Sequence, residues 1–162
     1  MVAFVSCSSV GGDKKETAAS GLKEGAVNQI STEMFRTLVY DNQKTPTEWI
    51  YAGTQPCIID FYADWCRPCK MIAPIMEDLA MQYKGKVVFY KVNIDQEKEL
   101  AQMFNIQSIP AILYIPASGK PQMAVGMSSK EEYIQQIQSL LLKPTAQNWQ
   151  TDQPNSPGTF SL

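Results

Sequence analysis

The sequence contains no histidine among its 162 residues. This absence excludes a Ser-His-Asp triad, a Cys-His protease pair and any metal site built on imidazole. The chain also has no internal repeat and no apolar run long enough to span a membrane. A net charge of −2 without a long basic run argues against nucleic acid as a partner. The 44% of apolar residues suffices for one domain with a core.

Cysteine is scarce as well, with four residues in the whole chain. Cys66 and Cys69 are separated by two residues, whereas Cys7 and Cys57 are isolated. Four cysteines could form one tetrahedral zinc site, but only one pair has ligand spacing, which disfavours zinc. We therefore expect no metal and no other cofactor, and the chemistry is expected at the paired cysteines.

The paired cysteines follow a predicted strand and open a predicted helix. The run Cys57–Tyr62 is almost continuously apolar, which is typical of a strand covered on both faces. Pro68 would lie in the first helical turn, where a missing N–H costs nothing. Apolar residues then fall on one face of a 3.6-residue repeat, at Met71, Ile72, Ile75, Met76, Leu79 and Ala80.

A helix N-terminus stabilises a thiolate, because its first N–H groups lack intrahelical partners and the macrodipole is positive there. The pKa of a cysteine at this position falls, and its reactivity near neutral pH rises. The spacing of the pair predicts a redox dithiol. A structural disulfide is the alternative, but such bonds stabilise most when they close long loops.

Further elements follow along the chain. Asp95 is expected to cap a helix, and Ser128 or Ser129 is expected to cap the last one. Four more strands are predicted, at 27–30, 86–92, 111–115 and 122–125, the last two forming a hairpin.

The run from Asp60 to Lys70, DFYADWCRPCK, closely resembles the active-site segment of thioredoxins. Downstream matches keep their order, at 91–95, 109–110 and Gly126. The resemblance covers residues 28–143. One departure is the dipeptide between the cysteines, which is usually Gly-Pro in the family and is Arg67-Pro68 here.

The resemblance implies an α/β thioredoxin fold, with a mixed central sheet of four or five strands and helices on both faces. It also implies a protein disulfide reductase whose Cys66/Cys69 couple passes through a mixed disulfide with its substrate. Its partners would be disulfide-containing proteins and an electron donor such as thioredoxin reductase, and we expect a monomer. An envelope thiol oxidase or disulfide isomerase is the alternative. It ranks second because Ile109 precedes Pro110, where isomerases more often carry Thr.

Within the dithiol, Cys66 is the predicted nucleophile and Cys69 the resolving cysteine. Asp60 lies in an otherwise apolar strand, and burial without a partner would raise its pKa. Such a carboxyl can accept a proton when Cys69 attacks. In thioredoxins the matching aspartate has this role, and Lys91 matches the lysine that modulates it. A solvated Asp60 at a strand end and an exposed Lys91 are the alternatives.

A substrate surface around the dithiol is also implied by the resemblance. The family's X-Pro bond is cis and its loop faces the dithiol, although most X-Pro bonds are trans. Gly126 matches a glycine that lets a substrate backbone approach, with a plain turn glycine as the alternative. The predicted substrate-binding residues are Trp65, Arg67, Pro68, Ile109, Pro110 and Gly126.

Arg67 is expected to tune the couple. A cation beside Cys66 favours the thiolate, which exists only in the reduced form, and so raises the reduction potential.

The two ends of the chain differ in composition from the domain at 28–143. Residues 1–27 predict a flexible leader, and residues 144–162, with three prolines, predict a disordered tail. The run before Cys7 resembles the end of a bacterial lipoprotein signal, although it lacks a basic region and its apolar stretch is short. Two locations stay open: the cell envelope, with a lipid anchor on Cys7, or the cytoplasm.

Overall fold

Strands and helices alternate within residues 21–142, the part of the chain that the computed structural model describes. The strands are β1 (Val27–Gln29), β2 (Cys57–Tyr62), β3 (Val88–Asn93), β4 (Ala111–Ile115) and β5 (Gln122–Val125). The helices are α1 (Thr32–Leu38), α2 (Arg67–Gln82), α3 (Lys98–Met103) and α4 (Lys130–Gln136), and α4 continues into a π-helical turn at Ile137–Leu141. The predicted tail, Cys7 and the first 20 residues of the predicted leader lie outside the described residues.

One mixed sheet carries all five strands, in the order β1-β3-β2-β4-β5. β1, β3 and β2 are parallel, whereas β4 runs antiparallel to both β2 and β5. The long connection through α2 is what allows β2 and β3 to pair in parallel, and a short turn suffices for β4 and β5. This mixed five-stranded sheet confirms the predicted fold class.

β2 lies at the centre of the sheet and is buried on both faces, which accounts for its continuous apolar sequence. Its residues alternate between two core layers. The first core layer holds Cys57, Ile59 and Phe61 with residues of α1 and α3, including Phe35, Leu38 and Leu100. The second core layer holds Ile58 with residues of α2 and α4, including Ile72, Met76, Leu79 and Tyr133. Helices therefore cover both faces of the sheet.

None of the helices within residues 21–142 is long and apolar enough to cross a membrane.

Candidate active site

Cys66 and Cys69 lie at the start of α2 and are joined by a disulfide. Cys66 is the N-cap residue, and its Sγ accepts a hydrogen bond from the backbone N–H of Cys69 at 3.2 Å. Pro68 occupies the first helical turn. The Cys66 sulfur is thus placed where free amide N–H groups converge at the positive end of the helix dipole.

The disulfide has an apolar surrounding. Both cysteines are 3% exposed and cluster with Ala63, and the half-buried side chains of Ile94 and Ile109 pack against this cluster. Within residues 21–142 there is no group of three or more His, Cys, Asp or Glu side chains that could hold a metal ion. The cluster presents two sulfurs that can interconvert between dithiol and disulfide.

A loop with a cis-proline lies against the dithiol. The Ile109–Pro110 peptide bond is cis, and the Pro110 carbonyl accepts a hydrogen bond from the Gly126 N–H at 2.8 Å. Gly126 has φ 99°, a backbone conformation that residues other than glycine rarely adopt. A Cβ at Gly126 would meet no atom within 4 Å, so backbone conformation, and not crowding, requires glycine here. Ile109 thus packs against the cysteines, and the Pro110 carbonyl links this loop to Gly126.

Trp65 stands beside the disulfide with 69% of its surface exposed, and its Nε1 donates a hydrogen bond to Asp95 Oδ2 at 2.9 Å. Arg67 is also exposed, and none of the ion pairs found within residues 21–142 involves it. A surface pocket of about 250 Å³ adjoins the indole and is lined by Trp65, Ile94, Ile106, Gln107, Ser108 and Ile109.

Asp60 is buried in the central strand, with 6% of its surface exposed. Its Oδ1 has no hydrogen-bond partner. Burial raises the pKa of this carboxyl to about 7, and the charge of Lys91 opposes that rise. Lys91 is half-buried and is the residue opposite Asp60 on β3, with its Nζ 5.6 Å from the centre of the Tyr62 ring. Asp60 therefore does not occupy a solvated strand end.

Sequence reasoning did not identify the residues that complete the site. Ile94 and the segment 106–108 line the pocket, and Asn93 and Asp95 connect to Trp65 through hydrogen bonds. The available signal was Asn93 itself, a polar residue at the end of an apolar strand. The prediction that Asp95 caps a helix was wrong, because Glu97 is the N-cap of α3 and the Asp95 carboxylate binds the indole instead.

A disulfide that bridges the first turn of a helix, on a mixed sheet with a cis-proline loop against the sulfurs, defines a class of thiol–disulfide oxidoreductases. The family model of thioredoxin matches residues 37–139. The chain belongs to the thioredoxin family.

Characterised relatives support this assignment. A thioredoxin of Borreliella burgdorferi is 42% identical over 104 residues, which cover 64% of this chain and 88% of the relative. A chloroplastic M-type thioredoxin of Brassica napus is 32% identical over 137 residues, which cover 85% of this chain and 76% of the relative. The chain is accordingly a thioredoxin-type protein disulfide reductase, and proteins of this family act on disulfide substrates.

A solved structure has the same fold. The crystal structure of chloroplastic thioredoxin z superposes with a TM-score of 0.60 at 24% identity, covering 71% of this chain and 94% of that structure.

Proposed function

We propose that Cys66 is the nucleophile and Cys69 the resolving cysteine of a couple that reduces disulfides in other proteins. The Cys66 thiolate attacks a substrate disulfide, forms a mixed disulfide and releases one substrate thiolate. The Cys69 thiolate then attacks Cys66 Sγ, closes the Cys66–Cys69 disulfide and releases the second substrate thiolate. Two electrons pass to the substrate in each cycle.

One observation carries this assignment of roles: Cys66, and not Cys69, is the N-cap of α2. A thiolate at the cap accepts hydrogen bonds from backbone N–H groups that have no partner within the helix. Cys66 therefore ionises more readily than Cys69 at neutral pH. Cys69 lies inside the first turn and donates its own N–H to the Cys66 sulfur. The second cysteine therefore needs a base before it can attack.

We assign that base to Asp60. A carboxyl with a pKa of about 7 can accept a proton in the physiological range and return it in the next half-cycle. Lys91, paired with Asp60 across the sheet, moderates this pKa through its charge. An unpartnered Oδ1 leaves the carboxyl free to take the proton.

We assign substrate docking to the surface beside the sulfurs. The exposed indole of Trp65 and the pocket next to it offer an apolar contact for a polypeptide. The cis loop and the open space beside Gly126 suit an extended backbone. Arg67 and Pro68 add exposed contacts at the helix start. An electron donor such as thioredoxin reductase would use the same surface, and a monomer suffices because one chain supplies both sulfurs.

Trapping the intermediate tests the assignment. Cys69→Ser cannot resolve the mixed disulfide, so the reduced variant should accumulate a covalent adduct with insulin through Cys66, which mass spectrometry detects and dithiothreitol reverses. Cys66→Ser is the matched control and should form no adduct. An adduct through Cys69 in that control would reverse the two roles. Reactivation of a scrambled protein faster than reduction of insulin would favour the isomerase alternative.

A further inference from the structure

A closed ring of hydrogen bonds ties the segment before Cys66 to the end of β3. The Asn93 Nδ2 donates to Asp64 Oδ2 at 3.1 Å, and the Asn93 Oδ1 accepts from the Asp95 N–H at 3.0 Å. The Asp95 Oδ2 in turn accepts from Trp65 Nε1 at 2.9 Å. Because Asp64 and Trp65 are adjacent in sequence, these bonds close a ring with Asn93 at its base.

Asn93 is the buried member of this ring. It is 2% exposed. Asn93 and Asp60 are the two buried polar or charged residues within 21–142. Asp64, Trp65 and Asp95 are exposed. Exposed hydrogen bonds hold a side chain weakly, because water competes for both partners. The buried Asn93 amide has a hydrogen-bond partner on both its nitrogen and its oxygen, so it is held in one orientation. That orientation fixes the Asp95 backbone on one side and the Asp64 carboxylate on the other.

The ring also shapes the pocket beside the disulfide. Ile94, between Asn93 and Asp95, lines that pocket, and its N–H donates to the Tyr62 carbonyl at 3.0 Å. Trp65 forms another wall with 69% of its surface in solvent, so packing does little to set its orientation. The hydrogen bond to Asp95 is the polar contact that the indole makes within the described residues.

We propose that Asn93 is a positioning residue that acts through Asp95 to hold the Trp65 indole as the docking platform for substrate polypeptides. This inference rests on the proposed function, since it concerns how that reductase binds its substrate. The role is distinct from the backbone contribution of Asn93, whose carbonyl accepts from the N–H groups of Gln96 and Glu97 whatever its side chain is.

Insulin kinetics test the proposal with variants at both ends of the ring. Asp95→Ala and Asn93→Ala should raise the apparent KM for insulin by about threefold to tenfold, the range of one lost hydrogen bond, with kcat unchanged. Asp95→Asn keeps a carbonyl oxygen for the indole and should restore the parent KM. Reduction of 2-hydroxyethyl disulfide, which is too small to need the platform, should change less than reduction of insulin in Asp95→Ala and Asn93→Ala.

A double-mutant cycle separates positioning from general stability. If Asn93 and Asp95 act through Trp65, their substitutions should have no further effect on KM in a Trp65→Ala background. Asp95 is exposed, so Asp95→Ala decides the question even if Asn93→Ala does not fold. An unchanged KM in folded Asp95→Ala, or full additivity with Trp65→Ala, overturns the proposal. Failure of the parent to reduce insulin would instead overturn the proposed function.

Discussion

Cys57 and Cys66 are both buried cysteines, but they have different surroundings. Cys57 is 0% exposed at the start of β2 and packs in the first core layer near Tyr51 and Tyr90. Burial raises the pKa of the Cys57 thiol to about 12. Cys66 is 3% exposed, but its sulfur caps α2 and accepts the Cys69 N–H.

The difference shows that burial alone does not determine the chemistry of a thiol. Both side chains are removed from water to nearly the same extent, so desolvation disfavours the thiolate at each. At Cys66 the backbone N–H groups at the start of α2 offset that penalty, and Ile109, which packs against the two paired cysteines, lines a surface pocket. One cysteine is therefore expected to be inert and the other reactive.

The largest effect on activity should come from replacing Cys66, with replacement of Cys57 as the comparison. Cys66→Ser should reduce the rate of insulin reduction by at least about 1000-fold, because the hydroxyl cannot form the mixed disulfide. Cys57→Ala should keep the rate within about twofold and should lower the free energy of unfolding by about 1 kcal/mol, through the small cavity that it leaves. Insulin turbidity and urea denaturation measure the two quantities.

Alkylation of the reduced parent protein provides the control for this prediction. Iodoacetamide at pH 7 should label Cys66 at least about 100-fold faster than Cys57, since the thiolate is the reacting species. Labelling of Cys57 at a similar rate would contradict the contrast between the two sites.

Asp60 extends the comparison to the other face of β2. Like Cys57 it is buried with a raised pKa, but its value of about 7 lies within reach of physiological pH, whereas its ordinary value is 3.8. The unfolded chain ionises this carboxyl from about pH 4, while the folded chain keeps the proton up to about pH 7. The parent should therefore lose stability as pH rises from 4 to 7, by roughly 2 to 4 kcal/mol in total.

Asp60→Asn should remove this pH dependence, since the amide does not titrate. Its free energy of unfolding relative to the parent should increase between pH 4 and pH 8 by the same roughly 2 to 4 kcal/mol. Any constant offset from the changed hydrogen bonding cancels in that difference. Urea denaturation of both proteins at the two pH values makes the measurement, and parallel stability profiles would show that Asp60 is not protonated in the folded state at neutral pH.

Local patterns predicted most of the fold. The apolar run of β2, the period of α2 and the hairpin of β4 and β5 each carry their own signal, and all three appear at their expected places. β3 begins at Val88, two residues later than predicted. The site was harder to predict, because its walls come from distant segments. No local pattern indicates that Asp95 lies within 3 Å of an indole 30 residues away.

Replacement of Arg67 should have the smallest effect. It tests whether a solvated charge stabilises the Cys66 thiolate in addition to the backbone dipoles. Its guanidinium favours the reduced, thiolate form, so Arg67→Gly should lower the reduction potential of the couple. An exposed cation contributes about 1 kcal/mol or less, which for two electrons is about 20 mV or less. Equilibration of each variant with glutathione measures the shift.

Arg67→Gln and Arg67→Lys separate the charge from the backbone. The glutamine variant removes the charge without the conformational freedom of glycine and should show most of the shift, while the lysine variant should keep the parent potential. The difference in reduction potential between the parent and the glutamine variant should also shrink in 1 M salt, where the Debye length is about 3 Å. A glutamine variant with an unchanged or higher reduction potential would contradict this prediction. It would mean that the charge of Arg67 does not tune the couple, and that Arg67, where the family usually has glycine, contacts substrates instead.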